Sequence, residues 1–462
     1  MGKKAALRRS ILGALCLPIP SVMAQDAGGI QVVVGVEQGI ELGSNIGLEI
    51  PDEGNSISAP TRLTFGLSSE TRVQQLNFEA GGTYRFENLD GENDSELDAT
   101  NMALGYTRNG ANASLSVFAD YTVEQIDTLR TFDDFVDGGE VELPSDFTDL
   151  SGDGLRTSYS AEATLILGNE DAPLGFQFDL GTSGTTYDDA TDADLTNEER
   201  AFVAAAARAQ LSPVLTGTLG AGYTYVDEDD ATETKRDIQN VDVGVSYLIS
   251  PRTTIDAGLG YVWNRTEETT GVTNFDGPTG LLGVNYDLPN GSVGAILDSR
   301  RAEDGTRIQS VRVLRDMELP AGPLSASIGL ARGGSEDPAV VGSLNWVKLL
   351  PSGSFTARLD RSMIVDSDDD LRVTTLGGLD YRYDINEISS LIFDLSYAVS
   401  EASDAADRVD EGSFTATYSR ALTAEWDFNA AVGYRMRDES GTGQANSFLI
   451  SATIGRSFST WR

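Results

Sequence analysis

Apolar and polar residues alternate along much of the chain. Val241, Val243, Val245, Tyr247 and Ile249 are interleaved with Asp242, Gly244, Ser246 and Leu248. After a Ser250-Pro251-Arg252 turn, Ile255, Ala257, Leu259, Tyr261 and Trp263 alternate with Thr254, Asp256, Gly258 and Gly260. A period of two puts successive side chains on opposite faces of an extended chain, so the pattern predicts a β-hairpin with one apolar and one small or polar face. The same cadence returns over 282–288, 391–399 and 426–436. The Ala-rich segment 199–210 has the composition of a helix, but it falls where a strand is due and is expected to be one.

Alternation alone is shared by soluble sandwiches and membrane barrels. The connections separate them, because two classes take turns along the chain. One is tight and rich in Pro, Gly and Asn, as at 108–112, 212–213, 250–251, 289–291, 320–323 and 351–353. The other is longer and acidic, at 87–96, 127–154, 186–199, 226–234, 265–272, 302–306, 333–338, 366–370, 401–410 and 438–444. Short turns at one end and long loops at the other are the pattern of an outer-membrane barrel. The prediction is all-β: a closed antiparallel transmembrane β-barrel, best parsed as 22 strands within a range of 18–22, with periplasmic turns and acidic extracellular loops. Pro51 and Pro60 interrupt the pattern between 30 and 75 and set that range. An even count places both termini on the periplasmic side. Tyrosines and tryptophans near strand ends, such as Tyr223, Tyr261, Trp263, Tyr397 and Tyr434, fit an aromatic girdle.

Composition narrows the function. The chain has 462 residues, 72 Asp+Glu against 33 Lys+Arg, a formal net charge of -39 and no His. Histidine-based triads and His-ligated zinc are excluded, and the acidity argues against nucleic acid as a partner. The start carries Lys3, Lys4, Arg8 and Arg9, then an apolar stretch, then Val22-Met23-Ala24. These are the parts of a secretory signal peptide, expected at 1–24, with the barrel as one domain over 25–462. Cys16 is the only cysteine. Leu15 before it does not suit a lipidation signal, so the exported chain is expected to hold neither lipid anchor nor disulfide. The stretch ahead of the first strand is expected to be too short for a plug domain.

Charges that alternate with apolar residues in the strands are costly against lipid and cheap against water. The pore-lining candidates on that ground are Asp242, Asp256, Asp287, Asp298, Arg312, Arg358, Asp360, Asp380, Arg382, Asp394, Arg435 and Arg437. The longest acidic connection, 127–154, supplies constriction-loop candidates Asp133, Asp134, Asp137, Glu140 and Glu142, with Phe132, Phe135 and Phe147 to anchor them. Carboxylates at a constriction would favour cations. The runs at 227–230, 366–370 and 149–154 lack the spacing of an EF-hand, so no dedicated metal site is expected. With no His, and with Asp and Glu so frequent that no carboxylate pair stands out, no catalytic group and no cofactor is expected either.

The segment 243–261, Val-Gly-Val-Ser-Tyr-Leu-Ile-Ser-Pro-Arg-Thr-Thr-Ile-Asp-Ala-Gly-Leu-Gly-Tyr, resembles the strand–SPRT–strand unit of the outer-membrane β-barrel porin family of the porin-2 type, and 419–434 is similar in style. The resemblance spans about residues 200–462. It implies a barrel of this size in the bacterial outer membrane and, for part of the family, a link to exopolysaccharide export; it carries over no ligand residues. The alternating Phe448, Ile450, Ala452, Ile454 and Phe458 suit recognition by the barrel-assembly machinery, although the last aromatic, Trp461, is penultimate. Expected partners are outer-membrane lipid, that machinery and periplasmic export components. The expected function is an outer-membrane pore, as a porin-like passive channel or a conduit for polysaccharide. The competing class is a structural or adhesive surface barrel with a filled lumen and acidic loops that bind partners or Ca²⁺.

Overall fold

The computed structural model describes residues 29–52, 54–89, 92–126, 136–137, 140–141, 154–169, 172–190, 195–366, 370–402 and 408–461. The predicted signal peptide lies outside the described residues. Twenty-two long strands, from Ile30–Ser44 to Gly443–Trp461, form one antiparallel sheet, and a two-residue hairpin, Val136–Asp137 with Glu140–Val141, stands apart from it. Each barrel strand pairs with its neighbours in the chain. The first and last pair with each other, from Gln31↔Trp461 to Ser44↔Phe448, which closes the sheet. Closure leaves no edge strand whose amide and carbonyl groups would sit unpaired in hydrocarbon.

The outer face is apolar. Leu219, Leu259 and Ile328 are 62%, 71% and 67% exposed, values that suit lipid contact rather than water. Val241, Val243, Val245 and Tyr247 are exposed along one face of Lys235–Ser250, and the register puts them beside Leu219, Leu259 and Tyr261 of the flanking strands. A continuous apolar belt of this kind is what a bilayer solvates. The Ala-rich segment is the strand Glu198–Ser212, paired along both sides. Two ladders of partners override its helical propensity.

Strands of 11 to 19 residues exceed the nine to eleven or so that a tilted crossing needs. The excess lies at the loop end and corrects three expected loops. Strands Gln74–Leu89 and Glu92–Asn109 run through most of 87–96, leaving only 90–91 between them. Thr253–Glu268 and Gly271–Leu288 likewise absorb most of 265–272, and Trp426–Glu439 and Gly443–Trp461 shorten 438–444. Above the hydrocarbon both faces of a strand meet water, so acidic residues extend the ladder at no penalty.

Turn geometry at the other end follows the glycines. Gly291, Gly322 and Gly353 open their strands at φ of 129°, 138° and 140°. A Cβ at any of them would meet a neighbouring strand's carbonyl oxygen at 2.0, 2.0 and 1.9 Å. No side chain fits there.

Candidate functional site

The register assigns all twelve expected lining residues to the face opposite the apolar belt. Asp242 and Asp256 alternate with the exposed Val241, Val243 and Leu259, and Asp287 follows the exposed Tyr286. Asp298 and Arg312 are two steps apart in register, 3.9 Å between charges. Arg358 lies 3.8 Å from Asp380, while Asp360 and Asp394 share their strands' inner side. Arg382 bonds Asp384 at 2.9 Å. Arg435 and Arg437 flank Glu411 at 3.8 and 3.9 Å, and both are buried. The twelve are therefore spread over the strands from Lys235–Ser250 to Trp426–Glu439 rather than gathered at one point, and seven of them stand in these ion pairs: Asp298, Arg312, Arg358, Asp380, Arg382, Arg435 and Arg437.

Two hairpins at the loop end turn inward, and the strand pattern concealed both. The first joins Gly291–Arg301 to Arg307–Leu319. By register Arg301 belongs on the outer side with Leu297, yet its guanidinium occupies the space where a Cβ on inward-facing Gly277 would go. Gly305, at φ 87°, sits against the Phe275 ring. Glu303 at the tip accepts a hydrogen bond from Arg200 and lies 4.0 Å from Arg236, and its carbonyl accepts one from Asn264. Arg200, Val226 and Arg236 form one lateral row on the inner wall. Arg236 is buried and also bonds Glu228 at 2.6 Å. The hairpin thus leans over the inner face of several strands and is pinned by charge.

The second hairpin joins Gly353–Val365 to Leu371–Asn386. Pairing of Gly353–Val365 with Ala339–Leu350 stops at Gly342↔Arg361. Beyond it, buried Met363 packs with Ile308, Ala331 and Val341, joined by Val365, Leu371 and Val373. Ile308 and Ala331 share the inner side with Arg312. The Met363 carbonyl accepts 2.9 Å from Arg300, and Leu371 fills the space above Gly333. Buried Arg372 pairs with buried Asp366, whose carboxylate also accepts the Asp370 amide at 2.8 Å.

Of the constriction-loop candidates, Asp133, Asp134 and Glu142 lie outside the described residues. Asp137 and Glu140 belong to the small hairpin. Its strand Glu140–Val141 comes within 8 Å, Cα to Cα, of Gly353–Val365, which stands eleven strands round the ring from Leu155–Leu167. Eleven of twenty-two is half the circumference, so the hairpin reaches across the loop end to the second in-turned element.

The acidic run at 227–230 serves its own loop. Asp227 pairs with Lys235 at 3.2 Å. Asp230 accepts from the amides and hydroxyls of Thr232 and Thr234 at 2.7 to 3.1 Å. Burial pushes the Asp230 carboxyl up, but these four donors outweigh it and hold it below the usual carboxylate range.

Fold and inner face together define a large closed barrel of the outer-membrane type. No family model matches the chain, and no curated protein does. Solved structures do. The FrpB iron transporter from Neisseria meningitidis is similar with a TM-score of 0.58 at 8% identity, over 94% of this chain and 83% of that one. The ferric-catecholate import receptor Fiu from Escherichia coli gives 0.56 at 9% identity over 94% and 82%. The ferric enterobactin receptor PfeA from Pseudomonas aeruginosa gives 0.53 at 11% over 94% and 82%. At such identities what is shared is the barrel. The porin-2 resemblance extends to architecture, and its finer membership finds no matching model.

Proposed function

We propose that the chain is an outer-membrane channel that passes hydrophilic solutes, with preference for cations, through a hydrated lumen narrowed at its loop end. The observation that carries this reading is the opposed character of the two faces: an apolar belt outside, charged and hydrogen-bonded side chains within. A circular 22-strand wall, at about 4.8 Å between strands and a tilt near 40°, is roughly 40 Å across its backbone. Two inturned hairpins and the crossing hairpin reduce that opening at its loop end. The cargo of the neighbours, iron and its chelates, does not transfer with the fold, because cargo is chosen by side chains. Here seven of the twelve inner-wall candidates are carboxylates and five are guanidiniums, an excess that attracts cations. Passive passage of small solutes and conduction of a polysaccharide chain both use such a lumen. The porin-like reading is favoured by the absence, among the described residues, of an aromatic track along the inner wall that would stack sugar rings.

The test is reconstitution of the refolded chain in a planar bilayer under a salt gradient. Stepwise current with a cation-favouring reversal potential is expected. Current with a reversal potential at zero or on the anion side would refute the selectivity. A correctly folded barrel that passes no current would leave the filled structural or adhesive barrel as the reading. Insertion through the barrel-assembly machinery is part of the same proposal, and periplasmic export components belong to it only in the polysaccharide form.

A further inference from the structure

The lipid-facing surface differs at its two ends. Towards the loops, tyrosines at the upper boundary donate to outward-facing carboxylates: Tyr223 to Asp237 at 2.5 Å, Tyr225 to Asp227 at 3.0 Å, Tyr397 to Asp410 at 2.5 Å and Tyr261 to Asp276. Towards the turns the sign reverses. Arg108, Arg315, Lys348, Arg420 and Arg456 stand on the apolar side of their strands, in register with the exposed belt. Among the described residues, the strand carboxylates near the turns, Glu70, Asp179, Asp287, Asp316, Glu318, Asp384 and Asp427, all take the inner side of the register.

The aromatic neighbours of these cations fix their depth. Lys348 Nζ is 5.7 Å from the Trp346 ring centre. The Arg456 guanidinium lies 5.4 Å from Trp426 and 4.4 Å from Phe458, and bonds Glu425 at 2.7 Å. Indole rings settle at the level of lipid headgroups, so the cations paired with them do too. Arg315 reaches the carbonyls of Ser292 and Asp316, which leaves its charge uncompensated by any carboxylate in those contacts.

We propose that the turn end of the barrel carries a belt that binds anionic phospholipid headgroups, phosphodiesters with one net negative charge. A cation held beside lipid-exposed apolar surface meets acyl chain and phosphate together, which a soluble anion does not offer, and in an anionic lipid no choline or ethanolamine cation offsets the phosphate charge. The proposal needs the barrel to sit in lipid and is independent of whether its lumen conducts.

The test uses the whole mature chain in nanodiscs of phosphatidylcholine doped with phosphatidylglycerol, with bound lipid counted by native mass spectrometry. Enrichment of phosphatidylglycerol over its bulk fraction is expected. The combined variant Arg108→Gln, Lys348→Gln and Arg420→Gln should reduce that enrichment several-fold, and Arg108→Lys, Lys348→Arg and Arg420→Lys should restore it. The loop-end variant Lys235→Gln with Arg265→Gln should leave it unchanged. Heat-shifted gel mobility confirms that each variant is a closed barrel. Enrichment that survives the turn-end neutralisation, or falls equally with the loop-end variant, overturns the proposal.

Discussion

Glu303→Gln removes the charge that pins the first inturned hairpin while preserving its shape and its backbone bond to Asn264. In the native protein the carboxylate accepts from Arg200 and lies 4.0 Å from Arg236. A charge-assisted hydrogen bond contributes about 1.5–3 kcal/mol. Arg200 and Glu303 side chains are 31% and 34% exposed, so water screens part of it and about 1 kcal/mol remains. The contact to Arg236 adds a few tenths, because Arg236 keeps Glu228 at 2.6 Å. The hairpin therefore loses about 1–1.5 kcal/mol of its preference for the inward position, roughly a five- to tenfold rise in the outward population. Single-channel recording reads this as a matching rise in the time spent in a higher-conductance state. Arg200→Gln should reproduce it, and the double variant should add little. Unchanged state occupancy in all three variants, with native-like folding, would refute the claim that this ion pair holds the constriction.

Leu259→Arg places a charge on the lipid side at a position 71% exposed, and should cost about 2–4 kcal/mol of folding in bilayers. Asp256→Arg, three residues away on the inner side, should fold as the native chain does; urea titration in lipid vesicles compares them. The lowered Asp230 pKa means that its capping stabilises the 228–235 loop fully above the ordinary value of 3.8 and is lost as pH falls through the depressed one. The protection of the Thr232 and Thr234 amides, measured against their intrinsic exchange rates, should fall only in that acid range, and Asp230→Asn should remove that pH dependence of protection.

Strand positions were legible because lipid and water impose opposite demands on alternate residues. The inner-wall charges followed from the same constraint, since a charge such as Asp256 between Ile255 and Ala257 has only one inexpensive side. The in-turned loop end was legible only in part. Arg301 and Met363 keep the parity of outer-face residues, and nothing in their spacing says that the hairpins bend and carry that face inward. Glu303 is one carboxylate among 72, distinguished by the Arg200–Val226–Arg236 row beneath it, which exists only once three strands are in register. The acidic segments at 87–96 and 265–272 have the composition of loops. Strands pass through them because neighbouring strands supply partners and water supplies the solvation.

The most direct test of the central claim uses the absence of cysteine after Cys16. Single cysteines are placed in turn at 241–246 and 255–260, and the refolded protein is held in vesicles. Even positions, Asp242, Gly244, Ser246, Asp256, Gly258 and Gly260, should react with a water-soluble, membrane-impermeant maleimide. Odd positions should be shielded from it and, when labelled with a fluorophore before reconstitution, be quenched by brominated lipid. Equal reactivity at odd and even positions would contradict a barrel with lipid on one side of its wall and water on the other.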